Sequence, residues 1–151
     1  MIADSIQAIR ALLLRDLDRL KKEIEGYSNE ADLWLFPEGI SNSAGNLCLH
    51  ICGNLQHFVG AMIGNSGYER NRDEEFNLKN VSVQRLIEEI ESTRLIIDKS
   101  LDGFKEEKSK EQYPIEVLGY SMSNSYFLIH LVGHLNYHLG QINYHRRLLA
   151  N

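Results

Sequence analysis

The feature that most constrains this chain is a long apolar segment near its C-terminus. Its apolar residues recur at spacings of three and four, which predicts one helix from Ser123 or Ser125 to about Leu149. The apolar stripe consists of Leu128, Leu131, Val132, Leu135, Leu139 and Ile142. Within the same segment, histidines at positions 130, 134 and 138 recur every four residues, which stacks their imidazoles along one helical face. This repeat indicates a metal site on a helix.

The angular positions of these histidines limit which of them can share an ion. At about 100° per residue, His138 lies about 60° from the centre of the stripe, His134 about 100° and His130 about 140°. His130 and His138 are about 12 Å apart along the axis, too far to share one ion. His134 belongs to both neighbouring pairs, and we favour His134 with His138 because both lie at the edge of the core stripe.

Three more amphipathic segments precede this one, at about Ser5 to Glu25, Ser43 to Ile63 and Ser82 to Leu101. Asp4 or Ser5 can cap the first, Gly26 can end it, and charged residues fill its other face. Four long helices predict an all-α four-helix bundle made by a single domain, residues 1–151. The second and third connections, of about 15–20 residues each, are long for a simple up-down bundle and predict crossover links.

The connections between the helices carry weaker predictions. Trp34 is interpreted as a packing anchor. Residues 65–81 are predicted to form a charged loop that is held at both ends by aromatic residues and solvated between them. Residues 105–111 are predicted to form a second charged loop, and residues 113–118 an extended segment that covers part of the bundle.

A third metal ligand is expected from the second helix. His50 lies about 100° from the core stripe of that helix, and His57 falls on nearly the same line two turns later. Either could reach across to His134 and His138. Cys48 and Cys52 project to the opposite side, which argues against a mixed Cys–His site. His145 is interpreted as a surface or terminal residue.

Composition excludes several classes of function. The formal net charge is −5, which argues against a nucleic-acid surface and against a polybasic membrane patch. No apolar run approaches the ~20 residues of a membrane span, and charged residues interrupt the first segment before a signal peptide could form. With two cysteines on one predicted helix, the expected compartment is the reducing cytoplasm.

Two motifs in this order resemble the DinB/YfiT-like superfamily: Asn46-Leu-Cys-Leu-His50-Ile in the second helix and His134-Leu-Asn-Tyr-His138-Leu-Gly-Gln-Ile142 in the fourth. The resemblance covers nearly the whole chain. It implies a four-helix bundle, commonly a homodimer, that holds a divalent metal through one histidine of helix two and two of helix four. Carried over by position, these are His50, His134 and His138, which selects His50 over His57. The family often has Arg where Leu139 stands, so any role of that arginine is absent here.

Three imidazoles suit Zn²⁺, Ni²⁺ or another late first-row ion and leave a coordination position open. Gln141 and Asn54 are candidates for hydrogen bonds around the site, whereas no convincing general base accompanies the histidines. Loop carboxylates that could approach are Glu38, Asp73 and Glu116.

The first functional hypothesis is a metal-dependent transferase or hydrolase acting on a small molecule. The resemblance suggests transfer involving a low-molecular-weight thiol. The second hypothesis is a non-catalytic, stress-related metal-binding bundle, and the third is a helical interaction module with incidental histidines.

Overall fold

Each long helix begins at a residue whose side chain accepts a backbone N–H of the first turn. In the computed structural model, which describes Met1 and residues 4–150, these caps are Asp4, Ser43, Ser82 and Ser123. The α-helices are α1 (Ser5–Glu25), α2 (Ala44–Leu55), α3 (Arg72–Asn77), α4 (Val83–Asp102) and α5 (Asn124–Leu149). The described residues form no strand beyond an isolated bridge between Gln112 and Ser123, so the all-α prediction is confirmed.

The four long helices enclose one hydrophobic core, with α3 added at its side. Both α1 and α2 pack against α4 and α5, so α1 and α2 occupy opposite corners of the bundle. The first and third long connections therefore cross a diagonal, whereas the second joins neighbouring helices. The crossover predicted for the third connection is present. The second connection, also predicted to cross, instead folds α3 against α2.

The second helix changes its hydrogen-bonding pattern after Leu55. Gln56–Ala61 is π-helical, and the Met62 N–H donates to the His57 carbonyl five residues back at 3.0 Å. The next N–H, of Ile63, donates to the Val59 carbonyl, so the Phe58 carbonyl accepts neither of these two N–H groups. That carbonyl accepts the buried Tyr113 hydroxyl at 2.7 Å. The π turn thus lets the connection before α5 attach to the second helix.

The structure corrects some of the four predictions for the connections and supports others. Residues 65–81 contain α3, which forms because Asn71 caps it and acidic residues fill its first turn. Residues 105–111 contain a 3₁₀ turn, Glu106–Lys110, and residues 113–118 form bends and turns rather than an extended segment. Trp34 is a packing anchor as predicted, because its ring lies so close to Gly45 that a Cβ there would stand 2.6 Å from a ring atom.

One acidic residue of α1 does not belong to the solvated face on which the sequence pattern placed it. Asp16 is fully buried and accepts hydrogen bonds from Arg15 at 2.9 Å and from Asn136 of α5 at 2.7 Å. Asn136 lies between His134 and His138 in the chain. The buried carboxylate therefore ties α1 to the part of α5 that carries the two histidines.

The prediction that His145 is a surface or terminal residue is wrong. The side chain is buried, with Nδ1 2.6 Å from the Tyr27 hydroxyl and Nε2 3.0 Å from the Leu35 carbonyl. A carbonyl only accepts, so Nε2 of the neutral ring donates to Leu35 and the Tyr27 hydroxyl donates to Nδ1. Burial raises the pKa of Tyr27 above its ordinary value, which keeps that donor protonated. His145 thus connects α5 to the segment that follows α1.

The variant His145→Ala is expected to lower the free energy of unfolding by about 2 kcal/mol, because it removes two part-buried hydrogen bonds together with a buried side chain. Urea denaturation of the purified protein measures this change. The neighbouring Tyr144 is exposed, so Tyr144→Ala serves as the control and should change stability by less than about 0.5 kcal/mol. Equal destabilisation by both variants would contradict the structural role of His145.

No helix of the described residues is long and apolar enough to cross a membrane.

Candidate metal centre

Three histidines from two helices meet at one point where α2 packs against α5. His50 of α2 is buried, whereas His134 and His138 of α5 are half-buried. Nε2 of His134 lies 3.2 Å from Nε2 of His50 and 3.2 Å from Nε2 of His138. Two nitrogens that each bind a tetrahedral ion at about 2.0–2.1 Å are about 3.3–3.4 Å apart, so these separations fit one ion. The ligand atoms of the three rings all lie within 4.8 Å of one another.

Hydrogen bonds on the outer nitrogens hold two of the rings with Nε2 facing the common point. Nδ1 of His50 is 3.0 Å from Oε1 of Glu75, and Nδ1 of His138 is 2.7 Å from Oε1 of Gln141. Both oxygens only accept, so each Nδ1 carries the proton and each Nε2 keeps its lone pair for an ion. Such outer partners fix the tautomer and orientation of metal-binding histidines in general.

Glu75 is the residue of this site that the sequence pattern missed. The sequence pattern places it in a solvated loop, yet it is buried, and its carboxylate accepts two hydrogen bonds from Arg70, at 2.8 and 2.9 Å, as well as the bond from His50. Asn46 attaches α3 to α2 by donating to the carbonyls of Glu75 and Leu78 at 2.9 and 2.8 Å. A signal was present in the acidic run after Asn71, but nothing local distinguished Glu75 from its exposed neighbours.

Burial favours the neutral form of two of the imidazoles, those of His134 and His138. Burial lowers the pKa of His134 to about 3, and the neighbouring His138 and His50 contribute to this shift. Burial also lowers the pKa of His138. Burial alone would raise the pKa of Glu75, but the hydrogen bonds from His50 and Arg70 hold that pKa below its usual value. His134 and His138 therefore present neutral imidazoles, the form that binds divalent metals, and the Glu75 carboxylate nearby is ionised.

Gly53 makes room for Glu75. A Cβ at position 53 would stand 2.6 Å from Cδ of Glu75, so no side chain fits there unless the carboxylate moves. We expect Gly53→Ala to cost about 1–3 kcal/mol of stability and to weaken metal binding about tenfold, because Glu75 would be pushed off His50. Thermal denaturation and metal titration measure the two effects.

Gly133 offers a matched control for this substitution. It also lies inside a helix, but among the described residues nothing beyond its chain neighbours and its own helix backbone lies within 4 Å of the position that a Cβ would take there. Gly133→Ala should leave metal binding unchanged and raise stability by up to about 1 kcal/mol, the difference in helix propensity. If the two alanine variants behave alike, steric exclusion beside Glu75 is refuted.

The other predicted site residues lie outside the histidine group. His57 is packed against Phe58, and His130 is exposed with its ring stacked on Phe127 at 5.7 Å. The three loop carboxylates that could approach the site are all exposed: Glu38, Asp73 and Glu116. Cys48 and Cys52 are free thiols buried in the core, and the described residues add no thiol or carboxylate to the group.

Several cavities lie near the site. One, of about 250 Å³, is lined in part by His50 and His134. Another, of about 290 Å³, is lined in part by Gly53 and Glu75. A third, of about 510 Å³, includes Gln141 in its lining but none of the three convergent histidines.

The fold and the convergent histidines define a DinB-like helical bundle with a candidate site for a divalent metal. A crystal structure of a DinB-like protein from Bacillus cereus ATCC 10987 superposes with a TM-score of 0.67, over 89% of this chain and 86% of that chain. The identity between the two is 16%, so this match establishes the shared fold. The model of the family described as "Protein of unknown function (DUF1572)" matches residues 3–151, and the chain belongs to that family. The resemblance to the DinB/YfiT-like superfamily is thereby confirmed. A comparison with curated proteins found no match.

Proposed function

We propose that the protein binds one divalent ion, Zn²⁺ or Ni²⁺, through His50, His134 and His138. The observation that carries this proposal is the convergence of three rings, with Nε2 of His134 3.2 Å from Nε2 of each of the other two and the outer nitrogens of His50 and His138 already bonded to acceptors. Neutral imidazoles suit both ions, and ligand type alone does not choose between them.

We further propose that the bound ion serves a transferase or hydrolase reaction on a small molecule, with transfer involving a low-molecular-weight thiol as the first candidate. Three protein ligands leave a coordination position open, and such an ion acts as a Lewis acid that lowers the pKa of a bound water or thiol. This chain's own contribution is to orient the rings through Glu75 and Gln141. The cavity that His50 and His134 line gives a small molecule access to the same place.

One observation is also compatible with a second candidate, a metal-binding bundle without catalysis. The three loop carboxylates considered as bases are exposed, and Glu75 is occupied by His50 and Arg70. A metal-binding protein has no need of a free base. Catalysis by thiol activation has little need of one either, so the two candidates must be separated by experiment.

The test has two steps. First, the purified protein is stripped of metal, reloaded with Zn²⁺ or Ni²⁺ and analysed for bound ion; the proposal requires about one ion per chain. Second, the loaded protein is assayed for conjugation of an electrophile with glutathione, bacillithiol or cysteine. Turnover above that of a metal-free sample supports the enzyme, whereas stoichiometric metal without turnover of any thiol or of a hydrolysable ester supports the binding protein. Absence of bound metal would refute both.

We also propose a homodimer, following the family resemblance. In support, α5 exposes large side chains at Tyr137, Tyr144 and Leu148, each 66% accessible, at spacings of seven and four residues. Such spacing aligns them on one side of the helix, where a partner could cover them. The mass in solution, measured by light scattering, checks this proposal, and a monomer at all concentrations would contradict it.

A further inference from the structure

The cavity beside the three histidines has a definite chemical character. Its volume of about 250 Å³ suits a molecule smaller than those that fill typical ligand pockets, which measure about 300–1,000 Å³. His50 and His134, two of the three candidate metal ligands, form part of its wall, so a molecule inside it lies against these two rings. Phe58, Phe127 and Leu131 supply apolar wall on which the body of a small molecule can pack.

The charged residues that line the cavity are all cationic. Arg70 and Arg72 contribute to the lining, and no carboxylate does. The charge of Arg70 is offset by Glu75, which it contacts twice. Arg72 has no ion pair within the described residues and only stacks on Phe76, with Cζ 5.3 Å from the ring centroid. Arg72 is also exposed to solvent, so the cavity carries one positive charge that water screens but that no carboxylate of the described residues pairs, and this charge favours an anionic ligand.

A buried amide at the same cavity lacks a partner. Asn54 is only 7% exposed, and its Oδ1 has no hydrogen-bond partner among the described residues. Asn54 follows His50 by four residues on α2, so both side chains lie on one face of that helix and both line the cavity. A buried polar atom without a partner is costly, so each such atom in a native protein requires an explanation, and a ligand donor is one such explanation.

From these observations we propose that the cavity is the substrate subsite, and that it takes a small molecule with an anionic group, such as a carboxylate, and an N–H or O–H donor. Arg72 binds the anionic group, Asn54 Oδ1 accepts from the donor, and the apolar wall covers the rest. This inference rests on the proposed metal-binding function and deepens it by specifying the substrate class.

The test uses the full-length protein loaded with Co²⁺, whose visible spectrum reports a thiol that enters the coordination sphere. Three probes differ by one group each: mercaptopropanol, mercaptopropionate, which has a carboxylate in place of the alcohol end, and mercaptolactate, which adds a hydroxyl to mercaptopropionate. We expect mercaptopropionate to bind about tenfold more tightly than mercaptopropanol, and mercaptolactate more tightly still. Cobalt content is measured after each titration.

Two variants assign these preferences to residues. Arg72→Gln should remove the preference for mercaptopropionate over mercaptopropanol and leave the cobalt content unchanged. Arg147→Gln is the matched control, because Arg147 also stacks on an aromatic ring, with Cζ 5.5 Å from the Tyr144 centroid, but does not line the cavity. Asn54→Leu should remove the preference for mercaptolactate over mercaptopropionate. The melting temperature should stay the same or rise, whereas it would fall if Asn54 served only to stabilise the fold.

The outcomes separate this inference from the function on which it rests. If the wild-type protein takes up no cobalt, the proposed metal site is wrong and the subsite is refuted with it. If cobalt binds but mercaptopropanol and mercaptopropionate bind equally well, or if Arg72→Gln retains the full preference, the subsite is refuted while the metal site stands. Loss of the preference in Arg147→Gln as well would also refute it, since the effect would then be one of general charge.

Discussion

Replacing His134 with alanine is expected to abolish stoichiometric metal binding. His134 is the central member of the group, since its Nε2 lies 3.2 Å from the Nε2 of both other histidines. Without it, the ion keeps at most two protein ligands from two different helices. The loss of affinity should exceed the ~10–100-fold typical for residues that only hydrogen-bond a ligand. Elemental analysis after dialysis against metal-free buffer measures the result.

A thermal shift gives an independent readout of the same change. Metal that binds only the folded state at about 100 times its Kd stabilises it by about 2.7 kcal/mol, so added Zn²⁺ should raise the Tm of the wild type and leave that of His134→Ala unchanged. His50→Ala and His138→Ala are expected to behave in the same way. His57→Ala and His130→Ala are the controls, because both histidines lie outside the group, and they should keep full metal content. Retained metal in any of the first three variants would overturn the ligand assignment.

Replacing Glu75 with alanine is expected to have the second-largest effect, on both stability and metal affinity. The Glu75 and Arg70 side chains are 6% and 12% exposed, so the substitution leaves a nearly buried guanidinium without its carboxylate. Breaking a buried pair in this way typically costs about 3–5 kcal/mol. It also removes the acceptor of His50 Nδ1, which should weaken metal binding by about 10–100-fold. Urea denaturation of the metal-free protein and a competitive metal titration measure the two effects separately.

Two further variants show whether the charge or the mere presence of a side chain matters. Glu75→Gln keeps the shape of the side chain and one acceptor oxygen but loses the charge that balances Arg70. It should therefore lower stability less than Glu75→Ala does. Glu74→Ala is the control, because Glu74 is the exposed neighbour in α3 and should change stability by less than about 0.5 kcal/mol. If Glu75→Ala were as mild as Glu74→Ala, the buried network around His50 would not be contributing to stability or to the site.

The sequence alone determined the long helices and the placement of two histidines on the last one. The starts of α1, α4 and α5 were predicted to within a residue, because helix caps and the spacing of apolar residues are local properties of the chain. His134 and His138 face the same point because a spacing of four residues nearly completes a helical turn. The choice of His50 over His57 did not follow from spacing, since both lie on nearly the same line of helix two, and it came from the resemblance to a family.

Only the tertiary structure decided which polar residues leave the solvent. Glu75, Asp16 and His145 each lie in a segment that reads as charged or terminal, yet all three are buried because partners distant in the chain meet them: His50, Asn136 and Tyr27. The spacing of residues along the chain cannot predict such partners, because burial of a polar group is favourable only when a donor or acceptor from a remote segment bonds to it. Local sequence patterns therefore predict the helices and part of the metal site. The residues that hold the histidines in position depend on how the helices pack.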